Sequence, residues 1–286
     1  MSYGASNFWS LNQIVFDENA KSYIDAAGIT QSFQQWAVNE LTIELKQNNL
    51  WNKMWAVYPF LGGSSASHGW NLVDTTKYRM TFSNGWTHST SGAYSNGLST
   101  GTLGRSGTWA NTGFTPSTVA TNSIAVCWYR RNNLSRTTDG YDFGGYSGVV
   151  GGSGNENMGI SQLKSSSSAA YAGWGQPPAA FVTNIVVGRT ASGFWTSQHI
   201  SGTTSIWKNG TQILSGARTL GLAGIPLHLA ASVVTGAFPA LTPLDYSGNG
   251  MIQYAFVSIS TGLNSSELTL FNQINNRYQL KLARRI

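Results

Sequence analysis

Residues 204–214 read TSIWKNGTQIL, two short strand-like runs on either side of Asn209-Gly210. Asn-Gly favours positive φ at both central positions of a type I′ turn, whose twist matches that of paired strands, so the segment predicts a tight hairpin. The same grammar continues on both sides of it. SIAVCWY (123–129), FVTNIVV (181–187), LHLAASVV (227–234) and IQYAFVSI (252–259) are apolar runs of strand length. SIAVCWY is apolar on both faces and suits a central strand. KYRMTF (77–82) instead alternates, with Tyr78, Met80 and Phe82 on one face and Lys77, Arg79 and Thr81 on the other, the pattern of a half-buried strand. Gly, Ser and Thr punctuate these runs, and no helical segment separates them. The expected fold is mainly β, an antiparallel sandwich of the jelly-roll kind.

Helices are expected near both termini. Between Thr30 and Asn49 there is no Gly or Pro, and Phe33, Trp36, Ala37, Leu41 and Leu45 fall on one stripe at spacings of three and four. Gly28 separates this helix from a shorter one over Asp17–Ala27. At the other end, Asn264-Ser-Ser-Glu267 has the spacing of a capping box. Leu268, Phe271, Ile274, Tyr278 and Leu282 then form a stripe, with Lys281, Arg284 and Arg285 at the end favoured by the helix dipole. The division expected is an N-terminal segment with a helix (1–54), a sandwich (55–263) and a C-terminal helix packed on it (264–286).

Only 10% of the 286 residues are charged, against about 25% in an ordinary domain. The surface is therefore built from Ser, Thr, Asn, Gln and Gly, which hydrate well and need little neutralisation to meet a neighbour. Eleven Trp, twelve Tyr and twelve Phe accompany this low charge, a combination shared by interface cores and sugar-binding faces. The net charge of +6 is scattered, with no basic run interleaved with aromatics, so nucleic acid is not an expected partner. The start, MSYGASNFWSLNQIVF, has no basic segment leading into an apolar one, so no secretory signal is expected, and no apolar window is long enough for membrane insertion. Cys127 lies inside an apolar run and reads as a small buried hydrophobe.

The sequence offers little for catalysis, and the protein is expected not to be an enzyme. A glycosidase places two carboxylates across one bond, about 5 or about 6.5–9.5 Å apart. Among the eleven carboxylates no strand carries two at alternating positions, and Glu40 and Glu44 read as a solvated helix face. Asp139 and Asp142, in TTDGYDFGGY, form the one close acidic pair of the β region; they suit a Ca²⁺ ion with backbone carbonyls, or simply a turn. The four histidines are isolated, without zinc-ligand spacing, so no cofactor is expected. What remains is aromatic and polar. SSASHGWN (64–71), SNGWTHSTSGAYSNG (83–97) and SGTWANTG (106–113) set Trp70, Trp86, His88, Tyr94 and Trp109 among Gly, Ser and Asn. Such residues suit the C–H faces and hydroxyl edges of a sugar, and equally a plug of the sandwich ends or a subunit interface.

YPFLGGSSASHGWNL followed by YRMTFSNGWTHSTSGAYSNG resembles a family of bacteriophage virion proteins, notably of phages of Bacteroidota, with a concanavalin A/laminin-G-like sandwich. LKQNNLWNKMWAVYPF, VGRTASGFWTSQHISGTTSIWKNGTQI and the closing FNQINNRYQLKLARR are similar to the same family. The resemblance implies a structural or accessory role on the particle, as a tail, fibre or capsid-decoration component. It implies assembly with other virion proteins and with further copies of itself, synthesis in the host cytoplasm, and no catalytic residues. A host surface glycan is the other partner considered. The chain departs from the family over 100–116, where Ala110-Asn111 replaces an expected Tyr-Ala-Asp, so no acidic ligand role carries over.

Overall fold

The Asn209-Gly210 hairpin is present. Both residues take positive φ (50° and 76°), and Lys208 pairs with Thr211 across the turn. Asn209 does more than turn the chain: its Oδ1 accepts the Phe194 amide at 2.9 Å. Gly210 lies against helix backbone, where a Cβ would come within 3.2 Å of Thr269 Cα.

The computed structural model describes residues 15–83, 85–95, 108–119, 122–132, 142–147, 156–164, 169–175, 181–185, 192–222, 224–235, 240–243 and 252–284; over 146–185 and 231–243 it describes the backbone alone, Trp174 excepted. The helices are α1 (Glu18–Ala27), α2 (Ser32–Gln47), α3 (Ser65–His68) and α4 (Ser265–Lys281). The strands are β1 (Met54–Tyr58), β2 (Thr81–Phe82), β3 (Trp86–Ser89), β4 (Gly92–Ser95), β5 (Ala110–Asn111), β6 (Ser123–Arg130), β7 (Phe143–Ser147), β8 (Glu156–Lys164) and β9 (Ala169–Gly175). They continue with β10 (Phe181–Ile185), β11 (Gly193–Ile200), β12 (Thr203–Lys208), β13 (Thr211–Ala217), β14 (His228–Leu229), β15 (Ala231–Thr235), β16 (Ala240–Pro243) and β17 (Ile252–Ser260).

One sheet runs β13-β12-β11-β6-β17-β4-β3, with β1 also on β17; the other runs β10-β9-β8-β7-β14-β5-β2, with β15 and β16 beside β7. Among the described pairings only β15 with β7 is parallel. The fold is thus mainly antiparallel β, a sandwich with helices near both ends of the chain. Ile124, Val126 and Trp128 of β6 point into the core between the sheets, against Ala110, Phe143, Trp174 and Leu229 of the second sheet. Cys127 and Tyr129 of the same strand point the other way, into a second core with α1, α2 and α4. The first sheet is the middle of three layers, which is why SIAVCWY is apolar on both faces.

Three sequence expectations shift. In α2, Ala37, Leu41 and Leu45 are buried as expected, but Phe33 is 49% exposed, while Gln34, Val38 and Thr42 are buried instead. With α1 on one flank and α4 on another, the helix buries a broad face, and Gln34 Oε1 accepts the Gly62 amide at 2.9 Å. KYRMTF is strand only at Thr81–Phe82. Tyr78 takes φ 54°, and its carbonyl accepts the Tyr58 hydroxyl at 2.6 Å, bending the chain before the sheet begins. Glu40 and Glu44 stand at the surface as expected, but not idle there: Glu44 pairs with Arg277 and Glu40 with Lys281, joining α2 to α4.

The capping box forms, with Asn264 Oδ1 accepting the Glu267 amide and Glu267 Oε2 the Asn264 amide, both at 2.9 Å. At the far end Arg284 does not sit in solvent at the helix dipole. Ala283, at φ 53°, turns the chain back, and Arg284 is fully buried. Its Nε donates to the Thr90 carbonyl (3.0 Å), Nη1 to Pro59 and Ala255 (3.3 and 3.4 Å), and Nη2 to Phe60 (2.7 Å) and Thr90. All five guanidinium donors are thus taken by backbone carbonyls. Arg284→Met, of similar length, strands those carbonyls away from water. Its expected cost is about 3–5 kcal/mol, the range for breaking a buried charged network, read as a lower urea midpoint at unchanged slope.

Candidate functional site

GWTHS becomes β3, an edge strand. Gly85 starts it at φ 90°, where a Cβ would meet Thr108 Cγ2 at 2.4 Å. Trp86 pairs with Ser95 and His88 with Ala93, so both turn towards the second sheet. Trp86 packs on Phe82 and Tyr254, with ring centroids 5.3 and 6.1 Å away, and its Nε1 donates to the Trp109 carbonyl at 2.9 Å. His88 Nδ1 lies 3.0 Å from His68 Nδ1, and His68 is buried under Phe60 with its Nε2 unpartnered. Burial, then the neighbouring His88 and Arg284, hold the His68 imidazole well below its ordinary range; burial alone lowers His88. These two sequence candidates close one end of the sandwich from within.

Tyr94 lies opposite Thr87 and Gln253 on the other face of the first sheet. Trp70 lies apart from both, packed on the helix-side core with the Arg79 guanidinium 3.9 Å above its ring. Asp139 lies outside the described residues. Asp142 is buried, and its Oδ1 accepts the Tyr254 hydroxyl at 2.9 Å. Among the described residues no group of three His, Cys, Asp or Glu side chains is placed to hold a metal, and no helix is long and apolar enough to cross a membrane. Burial pushes the Cys127 thiol up to about 12, which makes it a poor nucleophile.

Trp109 is different. Ala110 points into the core, so its neighbours Trp109 and Asn111 turn outward. The half-buried Trp109 ring meets His228 at 5.5 Å and 69°. His228 pairs with Asn111 on one side and with Gly144 on the other, and only 5% of it is exposed. Thr81 completes the row opposite Asn111. Each polar group has a defined capacity. The Asn111 Oδ1 accepts the Gly113 amide at 2.8 Å, which leaves its NH₂ as donor. Nδ1 of His228 donates to the Pro226 carbonyl at 2.9 Å, so Nε2 carries the lone pair. Burial pushes this imidazole down to about 4, and it is neutral at pH 7. An indole, an amide donor and a hydroxyl thus share one face of the second sheet with a nearly covered imidazole.

The sequence singled out Trp109 but neither Asn111 nor His228. Asn111 stands in the segment that departs from the virion family. His228 lies in an apolar run, LHLAASVV, where a lone histidine reads as core. The alternation of β14, with Leu229 in the core, sets it on the opposite face, where it is still buried.

No family model matches the chain, and no curated protein does. Solved structures do. Trypanosoma rangeli sialidase with 2,3-difluorosialic acid superposes with a TM-score of 0.52 at 12% identity, over 79% of this chain and 34% of that one. A mutant of the same enzyme displaying trans-sialidase activity gives 0.51 at 9% identity, over 87% and 39%. The botulinum neurotoxin serotype D binding domain gives 0.45 at 9% identity, over 78% and 52%. The chain spans about a third of the sialidases and half of the neurotoxin domain. The sialidase likeness is one of fold: a lectin-like β sandwich.

The histidines make stability pH-dependent. An imidazole whose folded value lies below its ordinary 6.5 binds fewer protons folded than unfolded, so it costs nothing above pH 6.5 and destabilises as pH falls from there. For His228, between 6.5 and about 4, the loss reaches about 3 kcal/mol. Urea midpoints should therefore fall between pH 7 and pH 4, and His228→Asn should flatten the curve.

Proposed function

We propose that this chain is a carbohydrate-recognition module, with the Trp109–His228–Asn111 face of the second sheet as its binding surface. The observation that carries the reading is the half-buried Trp109 ring packed against neutral, buried His228, on the face that also carries Asn111 and the exposed Thr81. Stacked C–H groups suit the indole, and hydroxyls suit the Asn111 amide, His228 Nε2 and Thr81. The hydroxyl-rich composition with few charged residues supports it, since a sugar needs no charge to be held. A binding role without catalysis fits the carboxylates of the described side chains: Asp17, Asp25, Glu40, Glu44, Asp74 and Glu267 pair with lysine or arginine, Asp142 holds Tyr254, and Glu18 stands exposed in the first turn of α1.

We further propose that the module is displayed on a bacteriophage particle, alongside other virion proteins or copies of itself. The support is the resemblance of YPFLGG and GWTHS to the virion family: GWTHS forms the edge strand β3, and YPFLGG is a corner on which this fold turns. Phe60 takes φ 52°, and Gly62 and Gly63 take 82° and 81°. Tyr58 donates to the Tyr78 and Thr112 carbonyls at 2.6 and 2.9 Å.

A glycan array on the full chain should give binding to bacterial surface polysaccharides that Trp109→Ala weakens about tenfold or more, the value of one lost aromatic stack. Trp70→Ala should leave it unchanged, and binding indifferent to Trp109 would remove this site. Mass spectrometry of purified particles should find the chain among the virion proteins, and its absence there would overturn the particle assignment.

A further inference from the structure

Arg284 is not the only guanidinium at its corner. Arg131 follows β6 and donates Nε to the Arg284 carbonyl at 2.9 Å and Nη1 to the Ser91 carbonyl at 3.4 Å. The same Ser91 carbonyl accepts Gln253 Nε2 at 2.9 Å, and that amide also donates to the Tyr94 hydroxyl at 2.6 Å. One backbone oxygen therefore gathers Arg131, Gln253 and, through Gln253, Tyr94. These groups lie on the face of the first sheet that α4 covers elsewhere, beyond the point where the helix ends at Lys281.

Among the described residues the charges do not balance there. Arg284 is buried and bonded to carbonyls alone, and Arg131 stands beside it. None of the carboxylates with described side chains pairs with either guanidinium. The two positive charges repel, and Arg131 contributes to holding Arg284 below the usual arginine range, after burial. Donors are left over as well. Of the five N–H groups of an arginine, Arg131 uses two in these bonds, which leaves three, including both on Nη2. The Tyr94 oxygen accepts from Gln253, so its own proton has no acceptor among the described residues. Fixed donors in excess, positive charge in excess and half-exposed side chains define a receptor for a small anion.

We propose that Arg131 and Tyr94 form a second ligand site, specific for the carboxylate of an acidic sugar residue. A guanidinium edge matches a carboxylate bidentately, and the Tyr94 hydroxyl supplies a further donor at its side. The sugar identity rests on the carbohydrate reading above; the location does not. It lies on the opposite side of the molecule from Trp109, on the first sheet rather than the second, so the two sites fail or stand separately.

The test titrates the full chain with tri-galacturonate, with its methyl ester (the same sugars without charge) and with sodium acetate at matched ionic strength. Tri-galacturonate is expected to bind about tenfold more tightly than ester or acetate, the usual worth of one charge-assisted pair. Arg131→Gln and Tyr94→Phe should each remove that preference, while Trp109→Ala keeps it. Because Arg131 also holds the Arg284 carbonyl, Tyr94→Phe is the milder variant: it removes one acceptor of the Gln253 amide, which keeps its bond to the Ser91 carbonyl. Equal binding of acid and ester, an acid preference that survives both variants, acetate binding as tightly as the trisaccharide, or no binding of any probe would each overturn the proposal. Ester binding lost only in Trp109→Ala would leave the first site standing while this one falls.

Discussion

A buried positive charge with no negative partner among the described residues fixes the geometry of this molecule. The Arg284 guanidinium reaches carbonyls of the β1–α3 connection (Pro59, Phe60), of the β3–β4 turn (Thr90) and of β17 (Ala255). Those segments are far apart in sequence, and each turns its carbonyls inward to solvate one side chain. A buried charge is tolerated only when its donors are all met, so the positions of the four oxygens are mutually dependent. Tyr278 adds to the same knot, its hydroxyl donating to the Pro59 carbonyl at 2.9 Å. The C-terminal helix is thereby tied to the corner that opens the sandwich, and His68 is kept neutral next to that charge.

Docking the helices on the first sheet has consequences for every strand in it. β6 and β17 are buried on both faces, with Trp128 and Val257 towards the second sheet and Tyr129 and Phe256 towards the helices. Phe194, Phe256 and Phe271 meet edge to face in that second core, at 5.2 and 5.9 Å from the Phe271 ring. Such packing leaves the first sheet little surface of its own. It becomes solvent-facing near β3 and β4, past the end of α4, where Tyr94 and Arg131 stand.

Much of the architecture is readable from the residues, because local rules decide it. Asn209-Gly210 forms its turn, Asn264 and Glu267 form their capping box, and SIAVCWY declares a strand without an exposed face. The failures share a cause: each depends on a partner distant in sequence. Phe33 sits on the apolar stripe by spacing, yet Gln34 is buried because Gly62 needs an acceptor. KYRMTF alternates, yet Tyr78 breaks the strand because Tyr58 needs its carbonyl. Arg284 looks like a dipole charge until the oxygens of three other segments are in place. The site divides the same way. Aromatic loops mark Trp109, but His228 joins it only through sheet register, and Trp86 and His88, equally prominent in sequence, turn inward.

That inward turn explains why aromatic richness alone is a poor guide to binding. A two-sheet sandwich with small, uncharged loop residues must close its own ends, and Trp86, Phe82, His88 and Phe60 do so ring against ring. The aromatic that remains for a ligand is one the sandwich does not need as a plug. Trp109 meets that condition: its backbone, not its ring, holds the end together, through the bonds of its carbonyl to Trp86 and to the Ser83 amide. The ring is left outside, next to a histidine that burial keeps uncharged. Separating the structural duty of a residue's main chain from its side chain lets one position serve stability and, in the proposed function, recognition, with the proposed surface on the second sheet rather than on the one that packs against α1, α2 and α4.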